Sequence, residues 1–194
     1  MNIANKVTMI RLVCVPFFML SMFFLPVETY GWFVTALIFA IASITDLIDG
    51  RLARDKNIVT DFGKLIDPMA DKLIITAALL GFIQRIDLFP YMNMWIVMLF
   101  ITRDIVISSI RMVASLKGHA VAAALSGKVK MITQVVMVLV MLVSAWEQWG
   151  LWHPILQTIW FWLGAASMVV SVAATVFSGI DYVIKNKKYI NYMQ

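Results

Sequence analysis

The chain has 194 residues, of which 62% are hydrophobic and only 14% are charged, a composition too apolar for a soluble domain of this length. The single cysteine, Cys14, excludes an intramolecular disulfide framework. The net charge of +5 is better explained by basic residues beside membrane spans than by nucleic-acid binding, so we expect no nucleic-acid partner.

Six apolar segments follow one another, each close in length to the ~20 residues that a bilayer span requires. The first begins after the polar, basic residues 1–11 and ends near Pro26; we expect it to be retained as a transmembrane helix, because no clear small-x-small cleavage site follows. The other five are predicted over about 31–54, 63–83, 93–116, 125–146 and 155–184. The sequence therefore predicts an all-α integral membrane protein, a bundle of six transmembrane helices forming one domain over 1–194.

Lysines and arginines predict the orientation of this bundle. They concentrate in the N-terminus, the 51–64 loop, the 117–130 region and the tail, whereas the opposite turns hold only Arg85. The positive-inside rule then predicts that both termini are cytoplasmic. An interfacial belt of tryptophans is expected at the other side, formed by Trp32, Trp95, Trp146, Trp149 and Trp152.

Four aspartates lie where the second segment ends and the third begins. Asp46 and Asp49 are three residues apart and Asp67 and Asp71 are four apart, so each pair lies on one face of a helix. Carboxylates beside a membrane core are costly, and four converging ones repel each other unless cations lie between them. Oxygen ligands of this kind suit Mg²⁺ or Mn²⁺. The pattern predicts a metal site, of two ions, at the cytoplasmic membrane surface.

A structural alternative is that these carboxylates are solvated at helix ends, where they cap the helices or form salt bridges to Arg51, Arg54, Lys64 and Lys72. It does not account for Asp46 and Asp49, which lie near the end of an apolar helix, where the helix dipole disfavours negative charge. The full spacing, D-x2-D-G-x2-A-R-x8-G-x3-D-x3-D, resembles the signature of the CDP-alcohol phosphatidyltransferases, integral membrane enzymes of phospholipid synthesis. The chain fills every position of that signature: Asp46, Asp49, Gly50, Ala53, Arg54, Gly63, Asp67 and Asp71.

The resemblance implies that two divalent cations, Mg²⁺ or Mn²⁺, bind the pyrophosphate of CDP-diacylglycerol. Its metal ligands would be Asp46, Asp49, Asp67 and Asp71, and Asp71 would also be the general base. The residues expected to contact CDP-diacylglycerol are Gly50, Ala53, Arg54, Thr60 and Gly63, together with Asn5 and Thr8 of an N-x-x-T-x-x-R element that recurs in the family. For Asn5 and Thr8, a polar interfacial helix start is an equal alternative.

Basic residues further along the chain predict a pocket for the phosphate of the acceptor alcohol. They are Arg11, Arg103, Arg111, Lys128 and Lys130, with Ser126 beside the lysines. R-[ED]-x6-R followed by G-K-x-K resembles the branch of the family that uses glycerol 3-phosphate, although Asp104 stands where glutamate is expected and Met131 where threonine is usual. Lys128 and Lys130 diverge by about 200° on a helix, which leaves open which one reaches the phosphate. For Arg103 the alternative is an internal ion pair with Asp104 or with the aspartates.

The expected reaction transfers the phosphatidyl group of CDP-diacylglycerol to glycerol 3-phosphate, giving phosphatidylglycerophosphate and CMP. Phosphatidylglycerol, inositol phosphate and serine are alternative acceptors. A divalent-cation transporter is an alternative of another class, but its ionisable path should continue beyond one side of the membrane. The resemblance further implies membrane-lipid partners, a homodimer, and a multi-pass protein of the bacterial inner membrane with its active site facing the cytoplasm.

Overall fold

The structure is a computed structural model. It describes residues 3–25, 31–55, 61–116, 125–147 and 154–191, and it describes side-chain surroundings for 9–25, 31–45, 72–112, 125–145 and 154–185. The described residues form six helices and no strand: α1 (Ile3–Phe24), α2 (Gly31–Asp55), α3 (Asp61–Gln84), α4 (Met94–Leu116), α5 (Leu125–Glu147) and α6 (Pro154–Asn191). The all-α prediction and its number of helices are confirmed.

Helix boundaries differ from the predicted ones for identifiable reasons. Asn93 was expected inside α4 but caps it instead, because its side-chain Oδ1 accepts a hydrogen bond from the Ile96 N–H at 3.1 Å. Pro154 begins α6, a position where its missing N–H has no helical partner to lose. The same helix continues past Ile184 to Asn191, since a helix that leaves an apolar environment can go on as a polar one.

The bundle is organised around α5 and α6, which share the most extensive contact. α1 packs against α2 and α3, α2 also packs against α5, and α4 packs against α6. Aromatic rings join the first three helices to the turn that follows α3: the ring centroids lie 5.8 Å apart for Phe18 and Phe39, and 4.6 Å apart for Phe82 and Phe89. This aromatic core holds the helices together at the end of the bundle that lies opposite the aspartate motif.

The tryptophan belt is only partly visible among the described side chains. Trp95 is 83% exposed, as a belt residue should be. Trp32 is buried and lies under the Arg85 guanidinium, with 5.5 Å between the Arg85 Cζ and the ring centroid. Trp146, Trp149 and Trp152 lie outside the described side chains.

Polarity is inverted relative to a water-soluble bundle. Several polar side chains are buried, among them Thr35, Gln134, Ser144, Ser171 and Thr175. Large apolar side chains are exposed on every helix: Phe17, Ile41, Leu80, Ile105, Ile132 and Phe177. Within the described residues, two stretches are long and apolar enough to cross a membrane, 125–145 and 154–185, and three shorter apolar ones are Met9–Phe24, Gly31–Thr45 and Lys72–Gln84.

Candidate active site

The two halves of the aspartate motif lie at adjoining ends of α2 and α3. Both halves are helical, so Asp46 and Asp49 share one face of α2, and Asp67 and Asp71 share one face of α3. Asp49 lies as far before the end of α2 as Asp67 lies after the start of α3. Only residues 56–60 separate the two contacting helices, and so short a connection favours antiparallel neighbours. Antiparallel packing would place the two aspartate pairs at the same level.

The side chains of this motif lie outside the described part of the structure. The same holds for Asn5, Thr8 and Thr60, so the metal, base and CDP-diacylglycerol roles of all these residues stay predictions. The donor set fits a hard cation, because four carboxylates supply only oxygen ligands. Among the side chains that are described, no group of three or more Asp, Glu, His or Cys residues could hold a metal ion.

A charged cluster in the described region joins α4 to α5 and α6. Both carboxylate oxygens of Asp104 on α4 accept hydrogen bonds from Lys130 Nζ on α5, at 2.8 and 2.7 Å. The Arg103 guanidinium donates through Nη1 to Asp104 at 3.0 Å and through Nη2 to the Ser178 hydroxyl on α6. Lys130 is buried, with 4% of its surface exposed, so its ammonium group depends on the Asp104 carboxylate for charge compensation.

Lys72 connects this cluster to the aspartate motif. It follows Asp71 directly in α3, and its Nζ donates a hydrogen bond to the Ser108 hydroxyl on α4. That hydroxyl donates in turn to the Asp104 backbone carbonyl at 2.7 Å. Lys72 is also close enough to Lys130 for their charges to repel each other. The residue after the proposed base therefore contacts the helix that carries the basic cluster.

The part of α6 from Ser178 to Lys185 receives further polar contacts from α4 and α5. The Ser126 hydroxyl donates to Asp181 at 2.6 Å, and Asp181 forms an i, i+4 ion pair with Lys185 at 2.7 Å. The Arg111 guanidinium lies over the Tyr182 ring, 5.7 Å from its centroid. Polar side chains of α4, α5 and α6 thus meet between Ser178 and Lys185.

The residues predicted to bind the acceptor phosphate differ in their burial and in their contacts. Arg103 and Lys130 share the Asp104 carboxylate, whereas Lys128 is exposed. Ser126 and Arg111 contact α6. Arg11 is buried on α1. The internal pair of Arg103 with Asp104, weighed above as an alternative to phosphate binding, is present and leaves Arg103 Nε without a hydrogen-bond partner among the described residues.

Sequence reasoning assigned no role to Ser178, and it considered Asp104 and Lys72 only as possible ion-pair partners, of Arg103 and of the motif aspartates respectively. A signal existed for Asp104, since an aspartate beside an arginine inside an apolar span needs a partner. Lys72 and Ser178 carried none, because each contacts a residue far away in sequence: 36 positions for Lys72 and Ser108, and 75 for Arg103 and Ser178. Such contacts depend on how helices pack and not on the pattern within one helix.

Comparison with known proteins agrees with the aspartate spacing. The family model of the CDP-alcohol phosphatidyltransferases matches residues 1–178. A Bacillus subtilis (strain 168) protein named CDP-diacylglycerol–glycerol-3-phosphate 3-phosphatidyltransferase is 34% identical over 200 residues, covering 95% of each chain. An Escherichia coli (strain K12) protein of the same name is 35% identical over 187 residues, covering 93% of this chain and 92% of its own. A match of this extent, together with the complete motif, shows that the chain belongs to the CDP-alcohol phosphatidyltransferase family.

Proposed function

We propose that the chain transfers the phosphatidyl group of CDP-diacylglycerol to glycerol 3-phosphate. The observation that carries this proposal is the contact between Lys72 and Ser108, which links the residue after Asp71 to the helix bearing Arg103 and Asp104. One molecule of glycerol 3-phosphate would then place its hydroxyl near Asp71 and its phosphate near Arg103 and Lys130. The names of the Bacillus and Escherichia relatives support the same acceptor.

Asp71 would take the proton from the acceptor hydroxyl. The hydroxyl oxygen then attacks the β-phosphorus of CDP-diacylglycerol, and the bond from that phosphorus to the oxygen bridging the two phosphates breaks. CMP leaves with the bridging oxygen, and the proton passes from Asp71 to solvent. Arg54 would pair with phosphate oxygens of the donor, while Arg103 and Lys130 hold the acceptor phosphate.

The family uses divalent cations, and we infer that two of them, Mg²⁺ or Mn²⁺, are held by the motif carboxylates. When bound, such ions neutralise charge on phosphoryl oxygens. The residues that would hold them are Asp46, Asp49, Asp67 and Asp71. Removal of metal with a chelator should abolish CMP release, and either Mg²⁺ or Mn²⁺ should restore it. Full turnover in the metal-free protein would contradict this assignment.

We infer further that all six helices span the bilayer, with both termini and the active site on the cytoplasmic side of a bacterial inner membrane. Support comes from helix lengths of 22 to 38 residues and from exposed apolar side chains on each helix. The acyl chains of the donor would stay among membrane lipids. Residues 1–194 would form one domain, and two copies a homodimer, which light scattering of the detergent-solubilised protein can measure.

The decisive experiment measures CMP release by purified protein supplied with CDP-diacylglycerol and Mg²⁺ or Mn²⁺. Glycerol 3-phosphate, phosphatidylglycerol, inositol phosphate and serine are offered separately. We expect release that depends on glycerol 3-phosphate. Release with another acceptor would keep the aspartate chemistry and reject the acceptor assignment, whereas no release from folded protein with any of them would reject the proposed function.

A further inference from the structure

The Asp104 carboxylate lies between the two cations that the proposed function assigns to the acceptor phosphate. One of its oxygens accepts from both Lys130 Nζ and Arg103 Nη1, at 2.8 and 3.0 Å, and the other accepts from Lys130 at 2.7 Å. An acidic residue in a pocket for an anion repels the phosphate through its negative charge. Its presence needs a reason other than direct binding.

Burial supplies that reason for Lys130. An ammonium group removed from water is strongly destabilising unless an opposite charge and hydrogen bonds compensate it. Lys130 is 4% exposed and the Asp104 side chain is 20% exposed, so this pair is largely out of water. Without Asp104, the Lys130 side chain would have to turn away or lose its proton, and in either case it could not present a cation to a phosphate.

Asp104 also limits where the two cations can lie relative to each other. Arg103 and Lys130 repel each other, and the carboxylate between them offsets that repulsion. Arg103 is held at a second point by Ser178 on α6, and the Asp104 backbone is held by Ser108, which Lys72 contacts from α3. These contacts connect the part of α4 that carries Asp104 with α3, α5 and α6.

Both cations keep donor capacity for a further anion. A guanidinium has five N–H groups, and the hydrogen bonds of Arg103 to Asp104 and Ser178 use one N–H on Nη1 and one on Nη2, which leaves a second N–H on each of these nitrogens. An ammonium has three N–H groups, and the two hydrogen bonds of Lys130 Nζ to Asp104 leave one for a ligand. A phosphate monoester could thus contact both cations while Asp104 still holds them.

We propose that Asp104 is a positioning residue for the acceptor phosphate, acting through Lys130 and Arg103 without touching the substrate. This inference rests on the proposed function. If positioning outweighs the repulsion between carboxylate and phosphate, loss of the charge must weaken acceptor binding. If Asp104 only repels phosphate, the same loss must strengthen it.

The test is the kinetics of Asp104→Asn, which keeps the shape of the side chain and removes its charge. We expect the KM for glycerol 3-phosphate to rise by about tenfold or more, since removing one partner of a buried charge pair has effects of this size or greater. The KM for CDP-diacylglycerol and kcat should change by less than about threefold, because neither the aspartate motif nor the donor site is altered. Asp104→Glu, which keeps the charge, should have a KM between those of Asp104→Asn and the parent.

Asp87→Asn is the matched control. Asp87 is also paired with an arginine, Arg85, at 3.2 Å, but it is exposed and lies in the turn between α3 and α4. Its replacement should leave the KM for glycerol 3-phosphate unchanged. An unchanged or lowered KM for glycerol 3-phosphate in folded Asp104→Asn protein would overturn the inference. Equal increases in the KM values for glycerol 3-phosphate and CDP-diacylglycerol, or a decrease in kcat alone, would also overturn it.

A second comparison covers the case in which Asp104→Asn does not fold. Asp104→Asn/Lys130→Met removes the buried cation together with its partner, which relieves the uncompensated charge. Its KM for glycerol 3-phosphate should equal or exceed that of Lys130→Met alone, because Asp104 also positions Arg103. A KM below that of Lys130→Met would show that the carboxylate only repels the phosphate, and it would overturn the inference. Absence of glycerol 3-phosphate-dependent turnover in the parent protein would instead reject the proposed function, so the two failures are distinct.

Discussion

Asp71 is the residue through which the proposed proton transfer passes. An asparagine there cannot accept a proton, so Asp71→Asn should lower kcat for CMP release by about 10²–10⁴-fold, the range associated with loss of a general base. Turnover with glycerol 3-phosphate should be compared with thermal unfolding of the same preparation. Undiminished turnover in folded, metal-supplied Asp71→Asn would remove Asp71 from the mechanism. The exposed Asp87→Asn, with the same chemical change, should leave kcat unaltered.

The two lysines near the start of α5 offer a second comparison at this scale. Lys130 shares Asp104 with Arg103, whereas Lys128 is exposed. Lys130→Met should therefore raise the KM for glycerol 3-phosphate about tenfold or more above the value for Lys128→Met, because only the first change removes a cation from the cluster. Titration of the acceptor at saturating CDP-diacylglycerol measures both values. Equal KM values, or a larger effect at Lys128, would contradict the arrangement.

Between elements, the glycines of α6 and α5 differ in what surrounds them. A Cβ at Gly164 would overlap the Tyr91 hydroxyl oxygen, and the Tyr91 ring is already in edge contact with Phe161, at a centroid distance of 5.4 Å. Gly164→Ala should thus force α6 away from the turn that carries Tyr91 and destabilise the fold by about 1–3 kcal/mol. A lower midpoint of thermal unfolding in detergent is the expected result.

Gly127→Ala is the control for that change. A Cβ at Gly127 meets nothing within 4 Å, so alanine should only improve helix propensity, by up to about 1 kcal/mol. Its unfolding midpoint should equal or exceed that of the parent. If both alanine variants lose stability alike, the close approach of Tyr91 to α6 is not what disfavours a side chain at Gly164.

The helices and the ion pairs between them also show how much of the structure the sequence could predict. Hydropathy located all six helices, because long apolar runs broken by short polar ones leave few alternatives. It missed the last turns of α6, because polarity marks the end of the apolar environment and not the end of the helix. The i, i+4 pair of Asp181 with Lys185 was predictable from spacing, whereas the pair of Asp104 with Lys130 was not, since it depends on where α5 lies against α4.

At the scale of the whole molecule, labelling of single cysteines at exposed positions can measure the orientation across the membrane. Asp87 lies in the turn after α3, and Lys185 lies near the end of α6, with side chains 58% and 63% exposed. Three helices separate them, so single cysteines there should lie on opposite sides. With Cys14 changed to alanine, an impermeant maleimide should label Asp87→Cys in intact cells and Lys185→Cys only after permeabilisation. Labelling of both from one side would mean that α4, α5 and α6 do not all span.

The charges of α4 bear on how the chain enters the membrane during synthesis. Arg103, Asp104 and Arg111 lie within one helix of 23 residues, and each charge near the centre of a lone span disfavours insertion by about 2.5–3.5 kcal/mol. Arg103 and Asp104 pair within α4, but the further contacts that offset these charges come from Lys130 on α5 and from Ser178 and Tyr182 on α6, all of which are translated later. We therefore expect the nascent α4 to stay beside the translocon until α5 and α6 arrive, so that the last three helices move into the lipid as a group.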